Sequence, residues 1–210
     1  RSKFLFTNAN EEEAPLSILH IGDSHVQADF FTGKTRMLLS QTLNDVNCSR
    51  GFTFPYQVVG SNNPDDYDVT WKGNWMRKKT DGNTATDFGL AGIAVSTTDL
   101  ESSLTLKLLQ GAAFDMVKVY FDSDSGLIEP KVNANHTYQF IGDGLAVFKL
   151  IEPTDSVKIG INSNGLDSGM FTLYGFELVN SAAKFIYHAA GVNGASVRTF
   201  LNSRNFTAQL

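Results

Sequence analysis

The stretch LSILHIGDSHVQADFF, Leu16–Phe31, contains an apolar run that stops at Gly-Asp-Ser-His and is followed by a helix-like pattern. LSILHIG has the length and composition of a buried strand, and the apolar residues of ADFFTGKTRMLLSQTLND recur with helical spacing. A strand that feeds directly into a helix is the first half of a βαβ unit. The sequence therefore predicts α/β structure here, with Ser24 at the turn between strand and helix.

Two interpretations of Ser24 follow from this position. Serine is a preferred N-cap residue, and Gly-Asp-Ser alone is short and common enough to favour a cap. A nucleophile is the other interpretation, because backbone N–H groups at a helix start can stabilise the oxyanion formed when a serine attacks an ester. Asp23 and His25 would then lie near the site. We do not expect His25 to be the base, since neighbouring helical residues point in different directions.

A second strand-turn-helix pattern, AKFIYHAAGVNGASVRTFLNS, closes the chain. The backbone N–H of Gly194, beside Asn193, could be a second oxyanion donor, or the Gly-rich segment could be a tight turn only. Between the two patterns, SLTLKL and VKIGIN alternate apolar and polar residues as half-buried strands do. We therefore predict an α/β domain formed by residues 1–55 and 182–210, interrupted by an all-β sandwich or jelly roll at 56–181, with a β-rich chain overall.

Composition excludes several classes of function. The 210 residues carry a net charge of -5, which argues against a polyanion partner such as nucleic acid. The single cysteine, Cys48, rules out an intramolecular disulfide and is expected to be a structural thiol. No apolar run is long enough to span a membrane. We expect no cofactor and no metal, and the acidic stretch at 65–68 is interpreted as a solvated loop rather than a calcium site.

HIGDSH and AGVNGAS resemble the first two sequence blocks of the SGNH or GDSL hydrolases. GDSHVQADFFTG, RGFTFPY, GNW and TDFGLAGI are similar in type and order to bacterial peptidoglycan O-acetylesterases, in which a carbohydrate-binding-module-like β-sandwich interrupts the hydrolase domain. This resemblance implies a partial three-layer α/β hydrolase. It also implies that Ser24 is the nucleophile and one oxyanion amide, and that Gly194 supplies another.

The same resemblance implies two further blocks, an Asn at a Gly-x-Asn strand end and an Asp-x-x-His that supplies the base and its orienting acid. The residues three positions before the four histidines are Ser17, Gly22, Asn133 and Phe185, so the 210 residues contain no Asp-x-x-His. We expect a C-terminal part of the same protein to complete the site, and this chain alone to be inactive.

The predicted function is a serine esterase that removes O-acetyl groups from a cell-envelope polysaccharide such as peptidoglycan. Its expected location is periplasmic, in the cell envelope or secreted, and its expected partner is the acetylated polysaccharide. One alternative is a non-catalytic glycan-binding module, in which Trp71 and Trp75 stack on sugar rings. Another is an SGNH esterase or lipase that acts on small or lipid esters.

Overall fold

The structure is a computed structural model that describes residues 15–42, 47–79, 88–109, 112–124, 126–142, 144–203 and 205. These residues form fourteen strands, three α-helices and a 3₁₀ turn at Tyr56–Val59. The helices are α1 (Ser24–Gln27), α2 (Phe30–Thr42) and α3 (Val197–Leu201). The strands are β1 (Leu16–Gly22), β2 (Cys48–Ser49), β3 (Gly51–Thr53), β4 (Tyr67–Lys72), β5 (Met76–Lys79), β6 (Ile93–Thr97), β7 (Ser103–Leu108), β8 (Phe114–Ser123), β9 (Glu129–Val132), β10 (His136–Gly142), β11 (Leu145–Thr154), β12 (Ser156–Asn162), β13 (Phe171–Val179) and β14 (Phe185–Gly191).

The first sheet is parallel and has the order β1-β14-β2. Its central strand, β14, is almost fully buried, whereas β1 is half-buried or exposed along its length. One face meets α2, where the rings of His20 and Phe31 contact each other edge to face at 5.7 Å. The opposite face meets β3, since the backbone N–H of Phe52 donates to Nδ1 of His188 at 3.1 Å.

Two antiparallel sheets contain most of the other strands. The larger has the order β10-β11-β8-β13-β6-β5, with β3 also paired to β13, and the smaller has the order β4-β7-β12-β9. One buried apolar cluster includes alternate residues of both sheets, such as Leu104 and Leu106 of β7 and Val117 and Val119 of β8. The two sheets therefore pack face to face around a shared core.

The predicted three-layer α/β hydrolase arrangement is wrong for the described part of the chain. That arrangement needs helices on both faces of a parallel sheet. Here the sheet has three strands, α2 covers one face, and the antiparallel strand β3 packs on the other. The described residues are mostly β, with two antiparallel sheets and little helix.

The domain boundaries predicted from the sequence stay a prediction. Their outermost parts, residues 1–14 and 206–210, lie outside the described residues, as do Thr86 and Asp87 of the TDFGLAGI motif. The apolar cluster does not stop at the predicted boundary, because Ala190 and Val192 belong to the same cluster as the sandwich residues.

The helix predicted after Ser24 is present as two pieces, α1 and α2. Asp29 lies between them with a φ of 58°, a left-handed conformation that interrupts the helical backbone. The apolar side chains that suggested helical spacing are exposed in α2; they are Phe30, Phe31, Met37 and Leu38. Among the described residues, no helix is both long and apolar enough to cross a membrane.

Candidate active site

The ends of β1 and β14 bring the two glycine-containing motifs together. The strands pair in parallel register, from Leu16 opposite Phe185 to Gly22 opposite Gly191. Parallel neighbours end at the same edge of a sheet, and the carboxyl ends of such strands are where ligands bind in α/β sheets. Ser24 and the turn that follows Gly191 therefore share one edge of the sheet.

Both strand ends need glycine because α1 packs directly on them. A Cβ at Gly191 would lie 2.6 Å from the backbone nitrogen of Gln27 and 2.8 Å from the carbonyl oxygen of Asp23. A Cβ at Gly22 would lie 2.5 Å from Cγ2 of Val26. No side chain fits at either contact unless the turn that bears Ser24 moves.

The N-cap of α1 is Asp23, so the interpretation of Ser24 as the cap is wrong. Oδ1 of Asp23 accepts a hydrogen bond from the backbone N–H of His25 at 3.1 Å, and Ser24 is the first helical residue. The N–H groups of the first helical turn have no acceptor within the helix. The Ser24 amide and hydroxyl thus sit together in an exposed position at the sheet edge.

The ring of His25 turns toward Asp23. Its Nδ1 lies 3.3 Å from Oδ1 of Asp23, and both side chains are exposed. The hydrogen bonds from the His25 backbone N–H and then from its ring lower the pKa of the Asp23 carboxyl. Within the described residues, no histidine hydrogen-bonds the hydroxyl of Ser24, so the nucleophile candidate has no base in this part of the chain.

The second oxyanion candidate, Gly194, occupies a β-turn. The N–H of Ala195 donates to the carbonyl oxygen of Val192 at 2.9 Å, and Gly194 has a φ of 76° at the third position of the turn. A type II turn requires a positive φ there, which explains the glycine. Gly194 is exposed, and nothing lies within 4 Å of the place where a Cβ would be. Its surroundings leave room for a ligand.

Gln27, the last residue of α1, joins the two turns. Its side chain is buried, and its Oε1 accepts from the backbone N–H of Asn193 at 2.7 Å. Its Nε2 donates to Oγ of Ser61 and to the carbonyl oxygen of Asn62, each at 2.8 Å. The Nδ2 of Asn193 also donates to Oγ of Ser61, at 3.3 Å. The side-chain amide of Gln27 therefore contacts both the Gly194 turn and the 61–62 loop, and it belongs to the helix that begins at Ser24.

A buried ion network lies beyond α1. Asp29 accepts hydrogen bonds from Thr32 and Arg36, and Arg36 also reaches Oδ2 of Asp66 at 2.7 Å. The Nε of Arg50 lies 2.7 Å from the same oxygen of Asp66. Burial opposes the ionisation of Asp29, but the charges of Arg50 and Arg36 outweigh it and lower the pKa of the carboxyl. Two cations and two anions thus neutralise each other beside the site.

The other predicted site residues lie elsewhere. Trp71 is exposed on β4, whereas Trp75 is partly buried against the core and donates from Nε1 to the carbonyl oxygen of Lys72. Burial raises the pKa of Cys48 to about 11, which keeps it a thiol. Among the described residues, no group of three or more His, Cys, Asp and Glu side chains could hold a metal ion. Asp66, from the acidic stretch considered for calcium, is engaged by Arg36 and Arg50.

Sequence reasoning missed the polar residues that organise this site. Gln27 stands three positions after Ser24, and a polar residue on the buried side of a short helix is the one signal that could have marked it. The partners of Gln27 lie 34 and 166 residues away, so no local pattern indicates them. The pairing of Arg50 with Asp66 likewise joins two loops without a sequence signature.

No known family model matches the chain, and no curated protein matches it. Among solved structures, the chain is similar to a peptidoglycan O-acetylesterase, with a TM-score of 0.67 and 26% sequence identity. The match covers 90% of this chain and 50% of the esterase, so the chain spans about half the length of that protein. A weaker likeness, to the Agl-KA catalytic domain, has a TM-score of 0.37 and 16% identity over 62% of this chain and 28% of that one, and no argument is based on it. The chain is thus similar in structure to a carboxylic ester hydrolase over almost its whole length.

Proposed function

We propose that this chain is the nucleophile-bearing part of a serine esterase of the SGNH type, which removes O-acetyl groups from a cell-envelope polysaccharide such as peptidoglycan. The observation that carries the proposal is the likeness to a peptidoglycan O-acetylesterase over 90% of the chain. The geometry supports it, because the Gly22–Ser24 and Gly191–Gly194 segments lie at one sheet edge.

Ser24 would attack the acetyl carbonyl carbon through its Oγ. The hydroxyl proton passes to a general base, and the carbonyl oxygen becomes an oxyanion held by the backbone N–H groups of Ser24 and Gly194. Collapse of this intermediate breaks the bond to the sugar oxygen, which leaves as a hydroxyl with the proton from the base. Water then cleaves the acetyl-serine ester by the reverse sequence of proton transfers, releasing acetate and restoring Ser24.

The resemblance implies an Asp-x-x-His that supplies the base, and these 210 residues contain none. We propose that the remaining part of the protein supplies it, together with the further Asn donor that the resemblance implies. The solved esterase is about twice as long as the matched region, which leaves room for such a part. This proposal also places the protein in the periplasm, in the cell envelope or outside the cell, where acetylated envelope polysaccharide occurs.

The test is hydrolysis of an activated acetyl ester and of O-acetylated peptidoglycan by the protein expressed over its whole reading frame. Ser24→Ala should abolish both activities, because no other group forms the acyl-enzyme. Ser168→Ala is the matched control, because it removes an exposed serine hydroxyl from the loop between β12 and β13, and it should retain activity. Full activity of Ser24→Ala would overturn the proposed function.

One observation favours a glycan contact outside the Ser24 site. Trp71 on β4 is 48% exposed, and an exposed aromatic face fits the apolar face of a sugar ring. Trp75 does not share this position, since it packs partly against the core. A non-catalytic glycan-binding role would therefore rest on Trp71, and Trp71→Ala should weaken binding to acetylated peptidoglycan without affecting hydrolysis of a small acetyl ester.

A further inference from the structure

The two oxyanion donors of the proposed esterase sit on two short turns, which follow the paired strands β1 and β14. Ser24 begins a helix of four residues, and Gly194 lies in a four-residue β-turn. A helix this short has little stability of its own. An oxyanion hole nevertheless requires its donors to lie about 2.7–3.1 Å from one oxygen position. Contacts from outside the two turns must therefore set the separation of the two amides.

The side chain of Gln27 makes this connection. Its Oε1 accepts from the N–H of Asn193, the residue before Gly194, at 2.7 Å. Gln27 itself lies one helical turn after Ser24, and the carbonyl oxygen of Asp23 accepts from its backbone N–H at 2.9 Å. One side chain thus ties the turn that holds Ser24 to the turn that holds Gly194.

The 61–62 loop fixes the side chain of Gln27 in turn. Both hydrogens of its amide nitrogen are directed to this loop, to Oγ of Ser61 and the carbonyl oxygen of Asn62, each at 2.8 Å. The side chain is 1% exposed, so water does not compete for these bonds. With its acceptor and both donors engaged, the Gln27 amide has a single satisfied orientation.

The loop belongs to the segment that the sequence assigns to an inserted β-rich unit. Tyr56, five residues before Ser61, donates from its hydroxyl to the carbonyl oxygen of Gly191 at 2.6 Å. The same segment therefore contacts the strand end that leads into the Gly194 turn. The segment from Tyr56 to Asn62 therefore forms hydrogen bonds with both Gln27 and the end of β14.

We infer that Gln27 is a positioning residue that sets the separation of the Ser24 and Gly194 amides, and that the 61–62 loop holds it in place. The inference rests on the proposed esterase function. It assigns the β-rich segment a part in catalysis that is distinct from any contact with glycan.

The test compares Gln27→Met with Gln57→Met in the protein expressed over its whole reading frame. Gln57 is the matched control, since its side chain also accepts a hydrogen bond from a backbone N–H, that of Val69 at 3.2 Å, but contacts neither turn. Gln27→Met should lower kcat for an activated acetyl ester by about 10²-fold, the typical cost of a small misplacement, with KM little changed. Gln57→Met should leave kcat unchanged.

Two further variants separate positioning from folding. Gln27→Glu keeps an acceptor for the Asn193 N–H but turns its second oxygen toward the Asn62 carbonyl oxygen, so it should lose kcat as Gln27→Met does. Ser61→Ala should lower kcat less than Gln27→Met, because the Asn62 carbonyl remains. Amide hydrogen exchange gives a readout independent of catalysis. Exchange at Asn193 should speed up in Gln27→Met and not in Gln57→Met or Ser24→Ala.

The outcomes are distinguishable. A wild-type protein without esterase activity overturns the proposed function. Amide exchange at Asn193 that is as slow in Gln27→Met as in the wild type overturns the link between the two turns. Unchanged kcat in Gln27→Met, alongside active wild type and inactive Ser24→Ala, overturns the positioning role alone.

Discussion

The hydroxyl of Tyr56 donates a hydrogen bond of 2.6 Å to the carbonyl oxygen of Gly191, at the end of the strand that leads to Gly194. Both residues are buried, so this carbonyl would lose its partner without gaining water if the hydroxyl were removed. The bond joins the 3₁₀ turn at Tyr56–Val59 to the end of β14.

Tyr56→Phe should therefore reduce the free energy of unfolding by about 1–3 kcal/mol and also lower esterase activity. Tyr67→Phe is the matched control, because the Tyr67 hydroxyl donates to the carbonyl oxygen of Phe54 at 2.7 Å in an equally buried setting. Urea denaturation should show a similar loss in both variants, and only Tyr56→Phe should lower kcat. Equal kcat in the two variants would contradict the prediction.

Gly191→Ala should displace the turn that bears Ser24. The new Cβ would meet backbone atoms of Gln27 and Asp23 at 2.6 and 2.8 Å, and backbone cannot move aside without shifting α1. We expect a loss of about 1–3 kcal/mol in unfolding free energy and loss of activity. Gly160→Ala is the control, since its Cβ would meet only the flexible end of the Lys131 side chain at 3.2 Å. A crystal structure of the Gly191 variant with α1 unmoved would refute this account.

His188 should make stability depend on pH near neutrality. Burial lowers the pKa of its ring below the ordinary 6.5, and Nδ1 accepts from the Phe52 N–H, which a protonated Nδ1 cannot do. The unfolded chain therefore binds the proton first as the pH falls. Stability should be fully present above about pH 6.5 and decrease as the pH falls from there toward the lowered folded-state pKa.

His188→Asn removes this titration while keeping an acceptor near the position of Nδ1. Urea midpoints measured between pH 8 and pH 5 should fall less steeply with acid in the variant than in the wild type. Parallel slopes in the two proteins would show that another group controls this range.

Asp29 should control stability at lower pH. Its folded-state pKa is lowered by Arg50 and Arg36 against the effect of burial, so its contribution is present above the ordinary value of 3.8 and lost as the pH falls through the folded-state pKa. Asp29→Asn leaves the two guanidinium groups with one carboxylate and should cost about 3–5 kcal/mol at pH 7. The difference between variant and wild type should shrink in denaturation experiments below pH 4. A constant difference down to pH 2 would contradict this assignment.

Local patterns in the sequence predicted strands well where one face of a sheet is buried. SLTLKL and VKIGIN are strands, β7 and β12, because their alternating apolar residues enter the shared core. His188 lies inside β14, and its two ring nitrogens are engaged by the Phe52 N–H and the Ser17 hydroxyl. The paired Gly-rich strand ends could also be expected to meet, since both follow strands with parallel-sheet composition.

The remaining features depend on contacts that no local pattern encodes. The layered α/β domain was predicted from strand-to-helix patterns at the two ends of the chain. It is wrong because β3 packs on the face of the parallel sheet that a second helix layer would need. Asp23 rather than Ser24 is the N-cap of α1, because the Asp23 carboxylate accepts a hydrogen bond from the His25 N–H. Gln27 acquires its role from partners 34 and 166 residues away in the chain, and Asp66 from Arg36 and Arg50, which are 30 and 16 residues away.

The pairing of β1 with β14 has a consequence for biosynthesis. Leu16 pairs with Phe185 and Gly22 pairs with Gly191, so the strand that leads to Ser24 pairs with a strand synthesised about 170 residues later. At typical translation rates of about 5–20 residues per second, that interval lasts roughly 10–30 seconds. Ser24 therefore leaves the ribosome early but reaches its final geometry only when the last described strand has emerged. A nascent chain that stops short of residue 191 therefore lacks the end of the strand that places Gly191 opposite Gly22.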